Sequence, residues 1–251
     1  PAPPTRHPLA LTPRPCHTPP MLPHSPLRAL AEDLWIVTGA LPHMALPRTM
    51  TVWRHPSGDL WLHSVIQLDE PTLTSLLALG RPRWMVVPSG LHRLDAPWYH
   101  QRFPDLTVLA PADALSAVAE RVPVDATCEE ALPPLGIRCL PPAGLRPAEV
   151  AYRLPLARGG AALVVNDALF NLQDPIPGFG GHMLRLLGST GPLRLTRLGR
   201  WTLLRDATAF ATWLRELAMD ADLRLIIVSH GAPVTSGAAE ALRAAAERVA
   251  P

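Results

Sequence analysis

Two stretches of the chain place a metal-type side chain directly behind a run of aliphatic residues. Ala162-Leu163-Val164-Val165-Asn166 leads into Asp167, and Leu225-Ile226-Ile227-Val228-Ser229 leads into His230 and Gly231. A run of this kind reads as a buried strand, and the residue at which it surfaces can converge with other loops on one cleft. A third stretch has the same layout. Trp84-Met85-Val86-Val87-Pro88 precedes Ser89-Gly90-Leu91-His92-Arg93-Leu94-Asp95, which carries an imidazole and a carboxylate three residues apart. Imidazoles and carboxylates at strand ends are ligands for a divalent ion, whose bound water can act as a nucleophile. Each residue alone also has a plainer reading: Asp167 as a cap or turn acid before Ala168-Leu169-Phe170, His92 as an exposed loop imidazole, His230 as a strand end.

The elements that would position these residues can be read from the pattern. Strands are expected over Leu34 to Thr38, Arg48 to Arg54 and Asp59 to Val65, the last two joined by the tight turn His55-Pro56-Ser57-Gly58. Asp69 caps a helix with Pro71 in its first turn and Gly80 as its stop. Trp84 to Val87 and Leu106 to Leu109 read as strands and Ala112 to Glu120 as a helix. Turns separate the expected strands Gly136 to Leu140, Glu149 to Leu154 and Ala161 to Val165. Asp206 caps a helix with Phe210, Trp213, Leu214 and Leu217 on one face, Leu223 to Val228 is a strand, and Ser236 is the expected cap of a last helix. Two halves of strands followed by helices predict an α/β (α+β) fold: two mixed sheets face to face with helices outside, an αββα sandwich.

Composition bounds the function classes. A chain of 251 residues with 48% hydrophobic content can bury a sizeable core. No apolar run approaches the roughly 18 residues of a membrane span, so no membrane partner is expected. The formal net charge is +2 and the arginines are scattered, which does not favour nucleic acid. The sequence has no lysine, so a Walker phosphate loop and Schiff-base chemistry are excluded. Cys16, Cys128 and Cys139 stand at no metal-ligand spacing, and the chain is expected in the cytoplasm. Residues 1–30 are proline-dense and expected to be a disordered tail, with Met21 a candidate start, ahead of one domain over 31–251.

The three strand-end stretches resemble the ligand loops of the metallo-β-lactamase superfamily, whose first loop reads His-x-His-x-Asp-His. On that pattern Gly90, His92, Leu94 and Asp95 occupy the first-loop positions, Leu145 stands where a Gly-His imidazole is expected, and Asp167 and His230 match the bridging carboxylate and the last histidine. The resemblance runs from about Leu34 to Val234. Leu34-Trp35, Leu60-Trp61-Leu62-His63-Ser64 and Asp167-Ala168-Leu169-Phe170-Asn171 further resemble a branch of that superfamily known only as a domain of unknown function.

The resemblance implies a metallo-hydrolase-like protein with an eroded site. His92, Asp95, Asp167 and His230 would hold at most one divalent ion: zinc, iron or manganese, the last two suiting a carboxylate-rich set. A small-molecule substrate is implied. A non-catalytic binding or interaction module that keeps the fold, with no dependence on an ion, is the alternative. Around the cleft, His63, His182, Arg197, Arg200 and Trp201 are candidate pocket residues, His182 because it follows the flexible-looking Gly178-Phe179-Gly180-Gly181 and Arg197, Arg200 and Trp201 as a lining for an anionic ligand, although a half-buried strand position for His63 and surface turns for the rest are the plainer readings.

Overall fold

The computed structural model describes residues 21–250 apart from positions 148, 174, 175, 177 and 187. The part of the expected tail formed by residues 1–20, with His7, Cys16 and His17, lies outside the described residues.

The first half of the chain builds one sheet. Its strands are β1 (Arg28–Ala31), β2 (Leu34–Leu41), β3 (Met44–Arg54), β4 (Asp59–His63), then helix α1 (Glu70–Leu79), β5 (Arg81–Val86), helix α2 (Ala96–Arg102), β6 (Thr107–Ala110), helix α3 (Leu115–Ala119) and β7 (Ala126–Thr127). The seven strands lie side by side in sequence order, antiparallel from β1 to β4 and parallel from β4 to β7. The β3–β4 turn closes as its sequence requires, with His55 N–H donating to the Asp59 carbonyl at 2.9 Å and Gly58 at φ +88°. Asp69 caps α1 by accepting the Thr72 N–H at 2.9 Å.

The second half continues with helix α4 (Cys128–Ala131), β8 (Arg138–Leu140), β9 (Ala151–Pro155), β10 (Ala161–Val165), β11 (Phe170–Leu172), helix α5 (Gly178–Leu186), β12 (Gly191–Arg194), helix α6 (Arg197–Thr202), helix α7 (Ala207–Leu217), β13 (Leu223–Val228) and helix α8 (Ala238–Val249). A four-stranded sheet runs β13-β10-β9-β8, parallel at β10–β13 and antiparallel elsewhere, and β11 pairs with β12 apart from it. Asp206 caps α7 by accepting the Ala209 N–H at 2.9 Å.

Three apolar layers hold the sandwich together. Trp53, Trp61 and Val86 of the first sheet meet Tyr152, Val164 and Ile227 of the second in the centre. Leu73, Leu76 and Tyr99 of α1 and α2 cover the outer face of the first sheet. Phe210, Leu214, Leu242 and Ala246 of α7 and α8 cover the outer face of the second. The expected αββα order of layers is therefore observed.

Several local expectations need correction. Residues 24–30 are tied to the sheet: β1 pairs with β2, Ser25 N–H donates to the Thr38 carbonyl at 2.7 Å, and the Asp69 N–H reaches His24 Nε2 at 2.9 Å. Edge pairing tolerates Pro23 and Pro26, which composition alone reads as tail. The last helix starts after Gly237, at φ +65°, instead of after a Ser236 cap. Gly178 to Gly181, read as a flexible loop, forms the first turn of α5. No helix among the described residues is long and apolar enough to cross a membrane.

Candidate metal centre

Both central strand ends deliver their side chains to one point because β10 and β13 are parallel neighbours and finish level, Val165 opposite Val228. Asp167 and His230 each follow two residues later. His92 arrives from the loop after β5, on the facing sheet. His92 Nε2 lies 3.2 Å and His230 Nε2 3.1 Å from Asp167 Oδ1, and the three ligand atoms all lie within 4.8 Å of one another. Of the four ligands expected from the sequence, the fold brings these three together.

The hydrogen bonds behind the trio decide how it is oriented. His230 Nδ1 is 2.7 Å from the Pro47 carbonyl, which can only accept, so Nδ1 carries the proton. In the neutral ring Nε2 then offers its lone pair toward the Asp167 carboxylate, two acceptors aimed at each other. A cation between them, or a second proton on the ring, resolves that arrangement. His92 Nδ1 stands 2.9 Å from Ser64 Oγ. Backing of the second ring nitrogen by a carbonyl or hydroxyl is how metal-bound histidines are held. Ser64, the residue after β4 that touches His92, sits at φ +53°, a left-handed conformation uncommon for a non-glycine residue.

The strand ends are themselves clamped. The Glu149 carboxylate accepts the Asp167 N–H at 2.6 Å through Oε2 and the Ala168 N–H at 2.9 Å through Oε1. Ser229 Oγ donates to Asn166 Oδ1 at 2.7 Å, linking the ends of β13 and β10, and Asn166 Nδ2 reaches Asp167 Oδ2 at 3.3 Å. Gly231, at φ +113°, lets the Asn171 backbone come so close that a Cβ would strike its carbonyl. Asn171 N–H donates to the His230 carbonyl at 3.0 Å in return. Burial would raise the Asp167 carboxyl, but His92 and His230 outweigh it and hold it well below the usual carboxylate range. Burial first, and then the Asp167 charge, push Glu149 up to about 8.

Glu149 was missed as a functional residue. Its signal was an acid at the head of the otherwise apolar run Val150-Ala151-Tyr152, which reads as the start of a strand.

Asp95 does not join the trio. Its Oδ2 is 2.5 Å from Arg48 Nη2 and accepts the Gln67 N–H at 2.9 Å, and both charged side chains are only 6% exposed. The carboxylate is consumed by a buried ion pair. Leu145, expected at a former ligand position, packs in the apolar layer under α7, and Leu94 lines the pocket.

The candidate pocket residues also move. His63 lies between the sheets, 1% exposed, stacked on Trp61 with ring centroids 5.5 Å apart, and neither ring nitrogen has a hydrogen-bond partner. Burial, then His92, lower its pKa to about 3. His182 is exposed on α5. Arg197, Arg200 and Trp201 lie on the exposed side of α6, Arg200 bonding the Arg248 carbonyl, while Leu198, Gly199 and Thr202 of the same helix face the pocket. Helical periodicity, invisible in so short a segment, turns one set out as it turns the other in. Cys139 is a half-buried strand residue whose thiol burial pushes up to about 11, which leaves it little thiolate character.

The trio forms the floor of a cavity of about 340 Å³. Solved structures of similar architecture include metallo-β-lactamases. FIM-1 from Pseudomonas aeruginosa in a mono-zinc form matches with a TM-score of 0.59 at 15% identity, over 93% of this chain and all of that one. DIM-1 exposed to ceftazidime matches with a TM-score of 0.60 at 14% identity, over 91% and 99% of the two chains. A metallo-β-lactamase from Erythrobacter litoralis, with β-mercaptoethanol in its active site, matches with a TM-score of 0.60 at 20% identity, over 88% and 96%. The chain thus has the metallo-β-lactamase fold. No family model and no curated protein matches its sequence.

Proposed function

We propose that the chain is a metallo-hydrolase-like protein of a divergent branch of this fold, holding one divalent ion (zinc, iron or manganese) through His92 Nε2, an Asp167 carboxylate oxygen and His230 Nε2. The observation that carries the reading is the convergence of these three ligand atoms within 4.8 Å, backed by the Pro47 carbonyl 2.7 Å from His230 Nδ1, which leaves Nε2 facing the same point. Three protein ligands with an open position are the pattern of a catalytic site, where a closed structural site takes four. Held there, an ion would supply an acidified water and polarisation of a substrate carbonyl or phosphoryl oxygen.

The protein's own contribution is positional. Pro47 and Ser64 fix the two rings, Glu149 grips the backbone that presents Asp167, and the Ser229–Asn166 bond keeps the two strand ends level. Leu46, Leu94 and Phe170 keep the surroundings apolar, which strengthens any charge interaction formed there. A small molecule is the intended occupant, and the cytoplasm the proposed compartment.

A second reading, a binding module without catalysis, is favoured by one observation. Leu94 stands in the pocket where the resemblance expects an acid near the metal-bound water. Metal analysis of protein purified without a histidine tag, followed by assay against ester, amide and phosphoester probes, separates the two. One ion per chain with turnover that His230→Ala abolishes supports the hydrolase. An ion with no turnover on any probe supports the module.

A further inference from the structure

The walls of the cavity carry information that the trio does not. Leu41, Met44, Leu46, Leu94, Phe170 and Leu203 give its lining a mainly apolar character, and the Phe170 ring reaches the floor, with its centroid 4.6 Å from that of His230. Besides the trio, the polar residues on the lining are Ser64, whose hydroxyl is held by His92, Thr196, Thr202 and Arg48. Arg48 is already committed, with Nη2 on Asp95 at 2.5 Å and Nε on the Ala40 carbonyl at 3.0 Å. Among the described residues, therefore, no unpaired cation lines the walls. Apolar character continues to the mouth, where Met44, Leu198 and Leu91 are 57%, 52% and 84% exposed.

An anionic group held at the wall of such a cavity would lose its water with no countercharge in exchange, a large cost. An aliphatic chain loses only unfavourable contact with water. We infer that the cavity takes an uncharged ligand with an aliphatic body, such as a medium-chain ester or amide, its carbonyl at the His92–Asp167–His230 floor and its chain against Phe170, Leu46 and Leu203. The assignment deepens the proposed function and rests on it for the carbonyl's position, while the preference for a neutral chain rests on the walls alone.

The test compares octanamide with the monoamide of suberic acid, the same chain ending in a carboxylate. Binding is measured calorimetrically on chelator-treated protein and again after adding zinc. Octanamide is expected to bind at least tenfold more tightly than the acid to the chelator-treated protein, where no ion can take the carboxylate. Leu198→Arg adds a cation at an exposed rim position where folding is not at stake, and it should shift the preference at least tenfold toward the acid at an unchanged unfolding temperature. For chelator-treated protein, equal binding of the two amides or preference for the acid, or for zinc-loaded protein binding of neither, would overturn the assignment and leave the metal reading standing. Octanamide binding with no zinc uptake would support the assignment and remove the metal reading.

Discussion

Arg48 and Asp95 form a buried ion pair, Nη2 to Oδ2 2.5 Å, that ties the β2–β3 hairpin to the loop carrying His92. The pair closes one side of the cavity and explains why Asp95 is no metal ligand. Removing one partner strands the other charge in a site only 6% exposed. Asp95→Ala should destabilise the protein by about 3–5 kcal/mol in chemical denaturation. Arg48→Met with Asp95→Leu should recover most of that loss. A cost near zero for Asp95→Ala would mean that the pair is solvated.

Glu149 takes the backbone N–H groups of both Asp167 and Ala168. Glu149→Ala leaves two buried donors without a partner, at about 1–3 kcal/mol each. The loss should appear in unfolding, and ion affinity should fall with it because Asp167 loses its anchor. Glu149→Gln, which keeps one acceptor oxygen, should retain part of both. Identical behaviour of the two variants would show that the carboxylate does not hold the loop.

Ser64 combines a left-handed backbone with a hydroxyl on His92. Ser64→Gly suits the backbone and removes the hydroxyl, so unfolding free energy should stay within about 1 kcal/mol of the parent. Ion affinity should fall roughly 10- to 100-fold, as for other groups that orient a metal-bound histidine. Unchanged affinity would remove Ser64 from the account.

His63 is buried without hydrogen-bond partners, and its pKa lies at about 3. An unfolded histidine takes its proton near pH 6.5. The unfolded state therefore binds more protons between those values, and stability falls as the pH drops through that window, by about 1.4 kcal/mol per pH unit. His63→Phe should remove this share of the acid sensitivity. The stability profiles of parent and variant between pH 6.5 and 4 provide the check, and parallel profiles would show that His63 is not the sensitive group.

Much of the site could be read from the sequence because strand ends announce themselves. Asp167 and His230 each follow an aliphatic run that has no alternative to burial, and parallel pairing brings the ends of such runs together. The fate of Asp95 could not be read, since Arg48 lies 47 residues away and nothing local marks the two as partners. Glu149 was hidden for the same reason: its partners are backbone amides 18 and 19 residues on. At Gly178 to Gly181, composition suggested a loop, and the fold packs Gly180 so tightly on Ala45 that a side chain would not fit. Glycine there serves close approach instead of flexibility.

The central claim is that His92, Asp167 and His230 act together as one ion's ligands. Zinc stoichiometry and affinity for the parent, Asp167→Asn, His230→Ala and, as control, the exposed His182→Ala test it most directly. The account predicts one ion per chain for the parent and the control, with affinity lowered at least 100-fold in the other two. Undiminished zinc binding by both site variants, or two tightly held ions in the parent, would contradict it.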